Sequence, residues 1–210
     1  MVIKEYLLDN SNYRQADEYS SAKSAIILHH TVSGGTPEQV VDNWNNYNRS
    51  VGTCYVIGRD GRIIKAFNSS KDWAYHLGEN TPHWPLNDKR SIGIELVAYG
   101  GLVMQNDKWH NVYGNSLSTT EVDVLDVPFR GFAAFHKYTE IQVASLVKLL
   151  DDLCSYYGIR RQFTGLEYIN NADDRFEFNG IMSHTNFRKD KSDIYPSEIL
   201  LSEINKFCNL

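Results

Sequence analysis

Several large classes of protein are excluded by what this sequence has little of. Cysteine is scarce: Cys54, Cys154 and Cys208 are odd in number, far apart, and form no C-x-x-C pair. A disulfide framework is therefore not expected, and Cys154, on the apolar face of a predicted helix, reads as a small buried hydrophobe. No stretch approaches the roughly 20 apolar residues of a membrane span, so no membrane insertion is expected. The opening Met1-Val-Ile-Lys-Glu-Tyr-Leu-Leu-Asp-Asn10 has neither the basic start nor the long apolar run of a secretory leader, and synthesis in the cytoplasm is the expectation. Positive charge is not in excess, with 21 Lys and Arg against 26 Asp and Glu and a net charge of −5. That argues against nucleic acid as the partner, since such binders carry a basic patch or stripe. Repeats, low-complexity tracts and linker composition are also missing, so residues 1–210 are read as a single domain.

What is present suits a packed globular chain. Hydrophobic residues make up 42% and charged residues 22%, near the averages for soluble domains. Residues 1–24 show no clear periodicity and read as a lead-in. Ala25-Ile-Ile-Leu28 is an apolar run expected to be a buried central strand that ends in His29 and His30. Thr36-Pro-Glu-Gln39 has the form of a helix start, with Thr as N-cap and Pro at the first position, followed by an apolar stripe of Val40, Val41, Trp44 and Tyr47. Residues 51–57 and 62–67 flank Gly58-Arg-Asp-Gly61 and predict a β-hairpin. A further strand is expected over 91–97. Thr139-Glu-Ile-Gln142 is a second capping box, opening a helix whose apolar residues recur at i, i+3, i+4, i+7 until Gly158 ends it. A last short helix is expected from about 197 to 207. Residues 99–136, with Gly pairs, a polar stretch and scattered aromatics, read as a long insertion of the kind that is functional or mobile. The pattern predicts an α/β fold, a mixed central β-sheet flanked by helices.

Three places carry unusual chemistry. His29 and His30 end an apolar strand, where successive side chains face opposite ways, so one of them can serve a given site. His184 precedes a basic run, Arg188-Lys-Asp190-Lys191-Ser-Asp193. If that run is extended, Lys191 and Asp193 share a side. A carboxylate could then bind metal while the neighbouring ammonium reaches a substrate carbonyl. Glu95 sits alone in the apolar run Ser91-Ile-Gly-Ile-Glu-Leu96. Burying it is costly unless it is paired or used, and desolvation would raise its pKa toward the range of a general base.

Five segments in order, Ile-Ile-Leu-His29-His-Thr, Val51-Gly-Thr-Cys-Tyr-Val-Ile-Gly-Arg-Asp-Gly61, Trp73-Ala-Tyr-His76-Leu-Gly78, Asn87-Asp-Lys-Arg-Ser-Ile-Gly-Ile-Glu95-Leu, and Ser-His184 with Lys191-x-Asp193, resemble the zinc-dependent N-acetylmuramoyl-L-alanine amidases. These belong with the phage lysozyme-type amidases and the animal peptidoglycan recognition proteins. The resemblance covers about 22–98 and 138–196. It implies an amidase-like single domain holding one zinc ion through His29, His184 and Asp193, with Asp190 as an alternative third ligand and His30 as a packing or supporting residue. It implies Glu95 and Lys191 as catalytic groups, and peptidoglycan or muropeptides as substrate. His76 resembles a position near the glycan or stem peptide, and a structural histidine is the alternative. Thr53 stands where some members carry a Tyr near the metal, and Trp73 and Trp84 are candidates to line the groove or to sit in the core. The sequence departs from the pattern in lacking a Pro before Arg188-Lys189 and the Asp-Pro-Gly that often follows. The compact form suggests a phage-type lytic enzyme, an endolysin acting on the wall after release, and the resemblance implies a monomer. The alternatives are a cytosolic muropeptide-recycling amidase and a non-catalytic peptidoglycan-binding module.

Overall fold

The computed structural model describes residues 2–9, 12–15, 22–47 and 51–209. In chain order the elements are β1 (Ile3–Glu5), β2 (Arg14–Gln15), β3 (Ala25–His30), α1 (Pro37–Asn46), β4 (Tyr55–Ile57), β5 (Ile63–Lys65), β6 (Asp72–Trp73), α2 (Leu86–Arg90) and β7 (Ser91–Leu96). They continue with β8 (Gly101–Gln105), β9 (Lys108–His110), β10 (Val122–Phe129), β11 (Phe132–His136), α3 (Glu140–Tyr157), α4 (Ala172–Glu177), β12 (Gly180–Ser183), α5 (His184–Phe187) and α6 (Glu198–Cys208). The fold is α/β, as expected. A six-stranded mixed sheet runs β1-β5-β4-β7-β3-β12, with only the β4–β5 pair antiparallel. Among the described residues no helix is long and apolar enough to cross a membrane.

The central strand β3 is buried on both faces, which explains its unbroken apolar run. Ile26 and Leu28 pack into the main core with α3 and α6, whereas Ala25 and Ile27 join a smaller cluster with Leu77, Met182 and Phe187. Each of these Ile and Leu side chains contributes on the order of 2 kcal/mol by leaving water. The alternation continues past the apolar run. His30 points to the main core, where its Nδ1 lies 3.3 Å from the Tyr138 hydroxyl, and His29 points over the smaller cluster.

Both expected helix starts exist, with one difference. Thr36 and Gln39 form the reciprocal capping box of α1. Thr139 caps α3 by accepting from the Gln142 N–H, but the Gln142 side chain turns inward, its Nε2 donating to Ile57 O at 2.9 Å and Val97 O at 3.2 Å. Those carbonyls end β4 and continue β7 in the interior, where an unpaired acceptor would cost more than a local cap returns. Gly158 closes α3 with φ of 68°.

Two stretches differ from expectation. The lead-in supplies β1, which pairs parallel with β5 and edges the main sheet. Residues 99–136 are not a long loop: β8 to β11 form a four-stranded antiparallel sheet in the order β10-β11-β8-β9. Its strands escape periodic reading because they are half exposed, with Val103, Met104, Val124 and Val127 facing solvent.

Candidate metal centre and active site

Parallel pairing places the site. Across β3 and β7, His29 lies opposite Glu95; across β3 and β12, Leu28 lies opposite Ser183, so His184 follows at the level of His29. All three sit at the carboxyl ends of parallel strands, where open α/β sheets gather functional groups. The loop after α5 returns Asp193 to the same point. His29 Nδ1 is 3.1 Å from His184 Nδ1 and 3.1 Å from Asp193 Oδ2, and His184 Nδ1 is 3.0 Å from Asp193 Oδ2. All three residues are buried. Asp190, the alternative, points to solvent and pairs with Arg188 through both carboxylate oxygens, at 3.0 and 2.5 Å.

The partners of the other ring nitrogens define the protons in this cluster. The Ser91 hydroxyl donates to Asn87 O at 2.6 Å, so Ser91 Oγ accepts from His76 Nε2–H at 3.0 Å. Neutral His76 then offers a bare Nδ1, which accepts from His29 Nε2–H at 3.0 Å. Neutral His29 is left with a bare Nδ1. On the other side, His184 Nε2–H donates to the Leu77 carbonyl at 3.3 Å, leaving its Nδ1 bare as well. Burial holds His29 at about 4 and His76 well below the ordinary histidine range, so both are neutral at physiological pH. Two nitrogen lone pairs and a carboxylate oxygen thus converge with no proton between them. This donor set suits a cation, and nitrogen with carboxylate oxygen is the chemistry zinc takes. A tetrahedral ion with bonds of about 2.0–2.1 Å needs donors roughly 3.3 Å apart, close to the spacing present.

Glu95 and Lys191 stand beside the cluster. Burial, then the Asp193 charge, raises the Glu95 pKa well above the carboxylate range, against the pull of Lys191. Glu95 Oε2 is buried and has no hydrogen-bond partner among the described residues. Lys191 lines an open groove of about 900 Å³ that reaches His184 and is bordered by Arg14, Tyr75, Trp84, Glu79 and Arg188. Trp84 stacks on Tyr75 with ring centroids 5.2 Å apart, and the Arg14 guanidinium lies 5.7 Å from the Tyr75 ring.

The remaining sequence candidates fall elsewhere. His76 borders the groove, but its side chain is only 4% exposed and both ring nitrogens are committed to His29 and Ser91. It orients a cluster histidine and has no nitrogen free for substrate. Thr53 is 2% exposed and its hydroxyl donates to Tyr55 O, so it does not line the groove. Trp73, 5% exposed, supports Tyr75 edge-on at 4.9 Å. Sequence reasoning missed Tyr75 and Arg14 as groove residues, and Ser91 and the Leu77 carbonyl as tautomer-setting partners. Only Tyr75 had a signal, its place between Trp73 and His76.

The chain matches the family described as N-acetylmuramoyl-L-alanine amidase over residues 20–196. No curated protein matches it by sequence. Among solved structures it is similar to the N-acetylmuramoyl-L-alanine amidase LysC from Clostridium intestinale URNW, at 18% identity and a TM-score of 0.53, covering 100% of this chain and 99% of that one. It is similar to the hydrolase AmiA of Staphylococcus aureus, at 13% identity and 0.56, covering 99% and 83%. It is also similar to a mutant endolysin from Bacillus subtilis, at 14% and 0.55, covering 100% and 97%. At these identities the structures speak for the fold, and the family match spans most of the chain. The chain belongs to the N-acetylmuramoyl-L-alanine amidase family.

Proposed function

We propose that this chain is a zinc-dependent amidase that cuts the amide between the lactyl group of N-acetylmuramic acid and the L-alanine of the stem peptide. We further propose that it works as a single-domain, monomeric lytic enzyme of phage type. The observation that carries the chemistry is the convergence of two bare Nδ1 atoms and Asp193 Oδ2 beside the buried Glu95 Oε2, which has no hydrogen-bond partner among the described residues. The likeness to an endolysin supports the lytic role.

His29, His184 and Asp193 would hold zinc, which when bound supplies a Lewis acid and a water of lowered pKa. Glu95 is the proposed general base. It takes a proton from water as the water oxygen bonds to the lactyl carbonyl carbon. Lys191 donates to the carbonyl oxygen as negative charge gathers there. Glu95 returns the proton to the alanine nitrogen as the C–N bond breaks, releasing a lactyl acid and a free amino terminus. Burial, which raises the proton affinity of this carboxyl, makes it a better proton acceptor than an exposed one. In the groove, Trp84 and Tyr75 offer ring faces to the substrate, while Arg188 and Lys191 face the carboxylates of the stem peptide.

Purified peptidoglycan, incubated with the protein with zinc and after chelation, tests this by mass spectrometry of the soluble products. Stem peptides beginning with L-alanine, absent after chelation, are expected. Wall binding without release in the presence of zinc would favour a recognition module and remove the catalytic roles.

A further inference from the structure

The antiparallel sheet formed by residues 101–136 touches the loop that carries Lys191 and Asp193. Its strands β10 and β11 are joined by Arg130-Gly131, with Phe129 paired to Phe132 and positive φ at both turn residues, 51° and 86°. This is the two-residue hairpin geometry that matches strand twist. A left-handed backbone is uncommon for a residue with a side chain, and here the turn presents the Arg130 side chain to its neighbour. Its Nη1 donates to Lys189 O at 3.0 Å and its Nη2 to Thr185 O at 3.3 Å. Thr185 lies in the one-turn helix α5, whose last carbonyls have no helical partner. Thr185 also follows His184, and its N–H donates to Asp193 O at 3.2 Å. Lys189 precedes Lys191 by two residues.

A second tie holds the far end of the loop. Tyr195 is fully buried, stacked on Phe135 at 4.4 Å and on Tyr138 at 4.9 Å, and its hydroxyl donates to Asp123 Oδ2 at 2.6 Å. Between these ties the other hydrogen bonds of 188–191 are local, Arg188 N to His184 O, Lys191 N to Arg188 O and the Arg188–Asp190 pair, while the Lys189 ammonium lies 4.8 Å from the Tyr168 ring. The segment from Thr185 to Tyr195 is therefore anchored at its start by the 164–169 stretch through Asn186, and over Lys189 and Tyr195 by β10, β11, their turn and Tyr138.

We infer that the β8–β11 sheet is a brace for the Lys191–Asp193 loop, and that Arg130 is a positioning residue that keeps Lys191 and Asp193 at their distance from His29 and His184. The catalytic consequence rests on the amidase reading above; the brace itself does not. Charge-assisted bonds from a guanidinium to two carbonyls are among the stronger ties a loop can have. A misplacement of about 1 Å at a reacting group can cost on the order of 100-fold in rate.

The test uses the full chain as wild type, Arg130→Ala and Arg130→Lys. Hydrogen exchange of residues 185–195 is followed in metal-free protein, zinc release is followed by transfer to a chromogenic chelator, and kcat and KM are measured for peptide release from peptidoglycan. In Arg130→Ala, exchange should quicken roughly 10-fold in 185–195 while β3 and β7 keep their protection. Zinc release should quicken by about 10-fold or more, and kcat should fall about 10- to 100-fold with KM within about 2-fold. Arg130→Lys, which keeps a charge and can still reach one carbonyl, should fall between, and it serves as the readout if the alanine variant does not fold. Wild-type exchange and zinc release in either folded variant would overturn the brace, as would a loss confined to KM, which would make Arg130 a substrate contact. If the wild type releases no peptide, the amidase reading falls while exchange still decides the brace.

Discussion

Two concave surfaces of similar size sit on this molecule, and they are opposite in character. The groove beside His184 encloses about 900 Å³ and presents Arg14, Arg188 and Lys191 against Glu79, with Arg188 also paired to Asp190 at its edge. The hollow between β10 and the start of α6 encloses about 720 Å³ and gathers Asp123, Asp126, Glu140, Glu198 and Glu203 around Lys137. Size does not separate them. What separates them is convergence: below the first, lone pairs and a carboxylate meet with their protons assigned away from one another, whereas the carboxylates of the second spread around a rim that is largely exposed. An acidic rim would repel an anionic stem peptide, and a cationic one would attract it. On the proposed reading, the buried groups would carry the chemistry and the open surface above them would add selection.

The sharpest way to break that contrast is to remove a member of the cluster. Asp193→Ala or His184→Ala should abolish zinc retention on gel filtration and lower peptide release at least about 1,000-fold, since the Lewis-acid contribution goes with the metal. Asp190→Ala should retain zinc and most activity, because its carboxylate is turned to solvent against Arg188. Next in size is Glu95→Gln. It preserves shape and zinc binding, and should lower kcat by roughly 100- to 10,000-fold, the range of a lost general base. A Gln variant within 5-fold of wild type would move the base elsewhere.

Below the groove, Asp88 offers a test by pH. Its Oδ1 accepts from the N–H groups of His76 (2.6 Å) and Leu77 (2.9 Å), yet burial, outweighing those donors, raises its pKa from 3.8 to about 6. The folded form therefore binds a proton that the unfolded form has released between these values, so this group costs stability as pH rises from about 4 to about 6. In metal-free protein, wild type should lose about 2–3 kcal/mol relative to Asp88→Asn across that window. Urea melts at pH 4 and 7 give the double difference, and a flat difference would show that the carboxyl is not stressed.

Much of this architecture is legible in the sequence, and the reasons are physical. Strand β3 and helices α1 and α3 announce themselves through burial on both faces or through caps and a strong period. Glu95 stood out because a lone carboxylate in an apolar run is costly. The partners of these elements were not legible. Nothing local in Gly180-Ile-Met-Ser183 says that it lies beside β3, yet that pairing is what brings His184 to His29. Asp190 and Asp193 could not be separated, because a loop's turn direction is set by its anchors at Thr185 and Tyr195. For Trp73 and His76 the sequence leaves groove and core roles open, because a two-residue strand and the loop after it have too little period to show which way a side chain turns. His76 reaches the cluster through His29, whose Nε2 lies 3.0 Å from its Nδ1.

Smaller effects are expected on the groove wall. Trp84→Ala removes the ring stacked on Tyr75, and Arg188→Ala removes a cation facing the substrate. Each should raise KM about 10-fold, near 1.4 kcal/mol, with kcat little changed, because neither touches the reacting atoms. Both variants measured on a stem peptide with its carboxylates amidated would separate the two contributions. Arg188→Ala should lose its effect on that substrate, whereas Trp84→Ala should keep it.

The smallest effect belongs to the acidic hollow. Glu198→Gln with Glu203→Gln removes two carboxylates from its rim without disturbing a buried contact. Lys206 loses a surface partner in Glu203 at 2.6 Å, and an exposed pair of that kind is worth at most about 1 kcal/mol and often nothing. Glu198 lies in the first turn of α6, where losing a negative charge costs a few tenths of a kcal/mol. Release of peptide should stay within about 2-fold in kcat/KM, because screening over a Debye length of about 8 Å mutes distant surface charge at physiological salt. The informative condition is low salt. If this rim repels the anionic wall, neutralising it should raise the rate of association there and leave kcat alone, and the gain should vanish as salt is added. A fall in kcat at any salt would instead mean that the hollow communicates with the cluster through Asp123 and Tyr195, and the two surfaces would have to be treated as one machine.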